Sequence, residues 1–153
     1  MMRKYLLALF LLFACSGVYA QSLSFGDLLN LTSMNDGQSR DLLASGKGFK
    51  ASGPQTLNGR TYTEYKNAKG ETVLFGAGIK TTSGNLTHEV IYNTTQESDI
   101  NNLLSQAKKS TLTLVFQGAD LAANIYRFDN SLFRASISLT FDKKSGNVDV
   151  QQK

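Results

Sequence analysis

The chain has 153 residues, of which 41% are hydrophobic and 18% charged, with one proline, one cysteine, one histidine and no tryptophan. That length suits one domain held by core packing, while two domains would each be too small to stand without staples. A single cysteine excludes an internal disulfide, and one histidine with one cysteine cannot supply a zinc set. The formal net charge is +4, with no run of Lys or Arg long enough to suggest a nucleic-acid groove.

Residues 1–20 read MMRKYLLALFLLFACSGVYA. Arg3 and Lys4 are a basic head, Tyr5 to Ala14 is an apolar run too short to span a bilayer, and Val18-Tyr19-Ala20 sets small residues before a cut. This order predicts a secretory signal peptide cleaved between Ala20 and Gln21, leaving one domain over residues 21–153 in the periplasm or medium. The pattern resembles export signals of Gram-negative bacteria, the Bacteroidetes type in particular. Without Arg3 and Lys4, 14 basic residues face 12 acidic ones, a net charge of about +2. Leu12-Phe13-Ala14-Cys15 loosely resembles a lipobox, and only lipidation at Cys15 would tie the chain to a membrane. Phe13 is larger than that pattern prefers, so cleavage after Ala20 is favoured.

Ser24 is the expected N-cap of a first helix, with Asp27 in its first turn and an apolar stripe of Phe25, Leu28 and Leu29. A second short helix is expected over Gln38–Ser45, with Leu42 and Leu43 inward and Gly46 and Gly48 ending it. Strands are then expected over Phe49–Ser52, Arg60–Asn67, Glu71–Lys80 and Leu86–Thr94, with Gly53-Pro54 turning the chain after the first. Gly76 and Gly78, in the third, mark a bend, a bulge or a close approach. A helix is expected from Thr95 to Lys109, its acids early, its lysines late, and Ile100, Leu103, Leu104 and Ala107 as its stripe. Four more strands follow: Thr111–Gln117, Ala122–Asp129, Ser131–Asp142 and Asn147–Gln151. The clearest signal is in Ser131–Asp142, where Phe133, Ala135, Ile137, Leu139 and Phe141 alternate with mostly polar residues. That period places one face on a core and one toward water.

The elements read as a helical segment and four strands, twice, over about residues 22–94 and 95–152. At an offset of 61, Leu42, Leu43, Lys47, Tyr65 and Lys66 fall on Leu103, Leu104, Lys108, Tyr126 and Arg127. The expected fold class is α+β, with one antiparallel sheet of about eight strands and helices on one face. This order resembles the β-lactamase-inhibitor-protein-like fold, a tandem repeat of helices followed by a four-stranded sheet, with relatives among small envelope lipoproteins. The resemblance implies an inhibitor-like or assembly module and carries over no functional residue. Met34-Asn35-Asp36-Gly37 departs from the Gly-Met-Ser/Thr turn of those families, and the inhibitor's cysteines are missing. A saddle like that of the TATA-box-binding protein gives a similar element list, so the strand order stays open.

The chemistry-bearing residues are scattered. His88 stands alone beside Glu89, and no Gly-x-Ser-x-Gly elbow accompanies the many serines. Glu64 with Glu71, and Asp129 with Asp142, flank hairpins as carboxylate pairs, but a hydrolase built on them needs a cleft. Neither Gly46-Lys47-Gly48 nor Gly76-Ala77-Gly78 has phosphate-loop spacing, and Asn35-Asp36-Gly37 lacks the rest of a calcium loop. The Asn-x-Ser/Thr sequons at Asn30, Asn85 and Asn93 are chance under bacterial export. What remains is a surface. The outward positions of the central strands gather Tyr65, Arg127, Arg134, Ser136 and Ser138, with Thr61, Thr63 and Thr140 beside them. Tyr and Arg are enriched at binding hot spots, so the surface suits a protein or glycan partner. The expectation is a non-enzymatic exported binding module with no cofactor, metal or nucleic acid. An envelope assembly accessory is the alternative, and a carboxylate-dependent hydrolase a more distant one.

Overall fold

The computed structural model describes residues 22–81 and 84–153. Cys15 and the expected cleavage site at Ala20 and Gln21 lie outside them. Helix α1 spans Phe25–Leu31. Ser24 caps it: its Oγ accepts from the Asp27 amide at 3.0 Å, and the Asp27 carboxylate accepts from the Ser24 amide at 2.9 Å. Such a reciprocal cap satisfies two amides that the first turn leaves orphaned. Asn35 and Gln38 build the same device at α2, Asp36–Asp41, which runs on into a π-helical turn at Leu42–Gly46. Helix α3, Glu97–Lys109, buries Ile100, Leu103, Leu104 and Ala107.

The strands are β1 (Lys50–Leu57), β2 (Arg60–Lys66), β3 (Thr72–Gly76), β4 (Ile79–Lys80), β5 (Leu86–Thr87), β6 (Glu89–Thr94), β7 (Thr113–Ala119), β8 (Ala123–Asp129), β9 (Phe133–Thr140) and β10 (Gly146–Gln152). Eight form one antiparallel sheet in the order β1-β2-β3-β6-β10-β9-β8-β7, and β4 pairs with β5 as a separate ribbon. The N-terminal strands and the C-terminal strands meet where β6 pairs with β10. Both α1 and α3 lie on these two central strands. Beneath them, Val90, Tyr92, Val148 and Val150 are fully buried against Phe25, Leu28, Leu31, Ile100 and Leu103. Each such side chain contributes roughly 1.5–3 kcal/mol on leaving water.

Two ties fix the helices to each other and to the loops. The Phe25 amide donates to Gln106 Oε1 at 2.8 Å, and Lys47 pairs with Asp27 at 2.8 Å. Gly146 is required where α3 approaches β10, because a Cβ there would meet the Ser138 carbonyl at 2.5 Å and Ile100 Cγ1 at 2.6 Å.

The α+β class, the antiparallel sheet and the helices on one face match the sequence pattern. Four details differ. Gly53-Pro54 does not turn the chain: β1 runs through it with a bulge between Ala51 and Gly53, and turns at Asn58-Gly59, both at positive φ. Proline fits because β1 is a sheet edge, where a missing N–H costs nothing in pairing. The expected Glu71–Lys80 strand breaks after Gly76, and Leu86–Thr94 breaks at His88. Phe141 falls beyond β9 and is exposed.

Candidate functional site

The face of the sheet opposite the helices is the one large surface that no element described here covers along its C-terminal half. Register defines it. On β9 the buried positions are Ala135, Ile137 and Leu139, so Arg134, Ser136, Ser138 and Thr140 point the other way. Ser136 pairs with Arg127 of β8 on one side and Asp149 of β10 on the other. Asp149 pairs in turn with Ile91 of β6, and Ile91 with Leu74 of β3. Arg134 stands between Asp129 and Gln151, and Ser138 between Ile125 and Asn147.

Four of the five residues singled out in the sequence therefore share one face: Arg127, Arg134, Ser136 and Ser138. Tyr65 does not, and this is a correction. It pairs with Val73, which pairs with Tyr92, and all three are buried in the core under the helices. Thr61 and Thr63 share its side of β2 and are exposed there. The period-2 pattern of Arg60–Asn67 was ambiguous because each phase holds a tyrosine. Tyr62 is the one on the open face.

Tyr62 belongs to a charged cluster that the sequence did not reveal. Its hydroxyl donates to Glu89 Oε2 at 2.6 Å, and Arg60 donates to the same oxygen at 2.8 Å. Burial, followed by the hydrogen bond to Glu89, pushes the Tyr62 phenol up to about 12. On the adjacent strand, burial and then the Glu89 charge push the Asp149 carboxyl up to about 6, against a smaller opposing pull from Arg60. A carboxyl raised to about 6 beside Ser136 is the most unusual ionisable group on this face. Its sequence signal was its place between Val148 and Val150, which sets it outward.

At the β7 side, Arg127 lies over the Phe116 ring, its Cζ 5.1 Å from the centroid. Such a contact is worth about 0.5–1 kcal/mol at an exposed site. Phe116 and Val115 are 45% and 60% exposed, so an apolar, cation-capped step borders the polar rows. Two grooves sit at opposite ends of β9. One, of about 430 Å³, is lined by Asn93, Ser138, Thr140, Ser145 and Asn147 among others. The other, of about 270 Å³, is lined by Lys80, Arg134, Gln151 and Lys153. Arg134 and Ser138 thus border different grooves, with Ser136 between them.

Compared with protein-family models, curated proteins and solved structures, the chain matches none.

The other candidates have local explanations. His88 is buried, stacks on Phe75 at 4.3 Å and donates from Nδ1 to the Gly76 carbonyl at 2.8 Å. Glu64 is held by Ser52 at 2.7 Å and Lys66 at 3.1 Å, which lower its pKa. Asp129 pairs with Lys153, and Asp142 accepts from Thr140 at 2.7 Å and the Lys144 amide at 3.0 Å. Glu71 is not a solvated turn residue. It is fully buried beside Asn67, Asp99 and Tyr92, and burial followed by Asp99 raises its pKa. Among the described residues, no cluster of three or more His, Cys, Asp or Glu could hold a metal ion.

Proposed function

We propose that the protein is an exported, non-enzymatic binding module that engages a protein or glycan through the open face of its sheet. The observation that carries this reading is the row Arg127, Ser136 and Asp149 across β8, β9 and β10, with Arg134 on the same face of β9 and the exposed Phe116 at its border. Among the described residues neither arginine forms an ion pair, and both are exposed, so each can meet a partner's carboxylate or hydroxyl. The polar groove beside Ser138 offers amides and hydroxyls that suit sugar hydroxyls as well as peptide backbone. The engagement of Glu64, Glu89, Asp129 and Asp142 with neighbouring donors favours binding over hydrolysis.

The inhibitor-like reading and the duplication of the chain belong to the same proposal. Tyr65 and Tyr126 fall on the helix side of the sheet, and Lys66 and Arg127 on the open side, as the offset of 61 requires. The test is capture from envelope and medium by tagged protein, next to an Arg127→Glu/Arg134→Glu variant of unchanged circular dichroism. A partner held by the parent and lost by the variant is the expected result. A partner held equally by both would remove the arginines from the site.

A further inference from the structure

The two edges of the sheet are built differently. Both edges carry a bulge, but edge β1 also carries Lys50 and Pro54, two devices that discourage another strand from adding. Edge β7 reads Thr113-Leu114-Val115-Phe116-Gln117-Gly118-Ala119, with no proline and no charge. It pairs only with β8, and Leu114, Val115 and Phe116 are all exposed. Its one irregularity is a bulge between Leu114 and Phe116. The Phe116 ring is laid back over Gly118, where a Cβ would meet it at 2.6 Å. The glycine thereby keeps the ring on the open face and out of the way of an added strand.

We infer that β7 is the interface for a second copy of this chain, pairing antiparallel with its own β7 about a two-fold axis near Phe116. Charge selects this occupant. The run itself is neutral, so a second copy sets no like charges opposite each other. Just before the run lie Lys109 and, with its ammonium 5.3 Å over the Tyr126 ring, Lys108 at the end of α3, and just after it lies Asp120. Asp120 accepts from the amides of Ala122 and Ala123, which lower its pKa and keep it ionised. Antiparallel pairing brings the Asp120 end of one copy to the lysine end of the other, twice per dimer. An interface of this kind is self-complementary, as a two-fold dimer requires. It would also join the open faces of both copies into one continuous surface. The inference stands on edge geometry and charge and does not depend on the proposed function.

The experiment is sedimentation equilibrium of the purified protein over a wide concentration range, together with Val115→Lys and, as a control on the other edge, Thr56→Lys. A reversible dimer is expected, weakened by about tenfold or more in Val115→Lys and unchanged in Thr56→Lys. Amide exchange of residues 113–119 in the unaltered protein should slow as concentration rises, which needs no variant to fold. A monomer at every concentration, a dimer undiminished by Val115→Lys, or exchange in β7 independent of concentration would each overturn the inference.

Discussion

The two faces of β10 pass through the same residues and have opposite fates. Val148 and Val150 are fully buried under α1 and α3, whereas Asp149 between them faces the open side with a carboxyl raised to about 6. On β9, Ala135 and Ile137 repeat the first condition, and Arg134 and Ser136 the second. The difference teaches that side-chain parity separates the buried apolar side chains from the charged and polar ones. The helix side supplies the burial that folds the chain, which leaves the other side free to carry charge at little cost to the fold.

The largest effects should come from the covered face. Ile137→Ala deletes a fully buried side chain and is expected to cost about 2–5 kcal/mol in urea unfolding, while its neighbour Ser136→Ala stays within about 0.5 kcal/mol. Similar losses for the two would break the comparison.

A smaller effect is expected at Glu71, among the described residues the one carboxylate fully buried on the covered side. Its pKa is raised, so the stability it contributes is complete below the ordinary glutamate range and drains away as pH rises through its folded value. Glu71→Gln keeps the amide contact from Asn67 without the charge. The variant should therefore gain on the parent as pH rises, measured by thermal unfolding between acid and neutral pH. Glu71→Ala should lose about 1–3 kcal/mol at low pH, by leaving the Asn67 amide without its buried partner.

The open face was legible in the sequence where alternation was strong. Val148-Asp149-Val150 and Ala135-Ser136-Ile137 each have one apolar phase, so parity alone sorted Arg134, Ser136 and Ser138 onto the right side. In Arg60–Lys66 both phases carry tyrosine, and parity could not choose between Tyr62 and Tyr65. Only the third dimension decides, because α1 and α3 cover one side. The Asn58-Gly59 turn was visible in the sequence as the dipeptide that favours a two-residue hairpin, yet Gly53-Pro54 masked it. Long-range groupings such as Arg60, Tyr62 and Glu89 depend on β2, β3 and β6 lying side by side, which no local pattern encodes.

An effect of the same sign as that of Glu71→Gln is expected at Asp149 on the open face. Its raised carboxyl means that stability drains as pH climbs from the usual aspartate range through about 6. Asp149→Asn should be more stable than the parent by about 1–3 kcal/mol at neutral pH, and the advantage should vanish below about pH 4. An advantage that does not change with pH would mean that the carboxyl is not held near 6.

The central claim, that the open face does the binding, is tested most directly by side-chain footprinting of the protein alone and with its captured partner, using arginine- and carboxyl-directed labels. The account predicts that labelling falls at Arg127, Arg134 and Asp149 and is unchanged at Asp36, Arg40 and Asp41 of α2. Protection of the α2 side chains with the three open-face residues still fully labelled would contradict it.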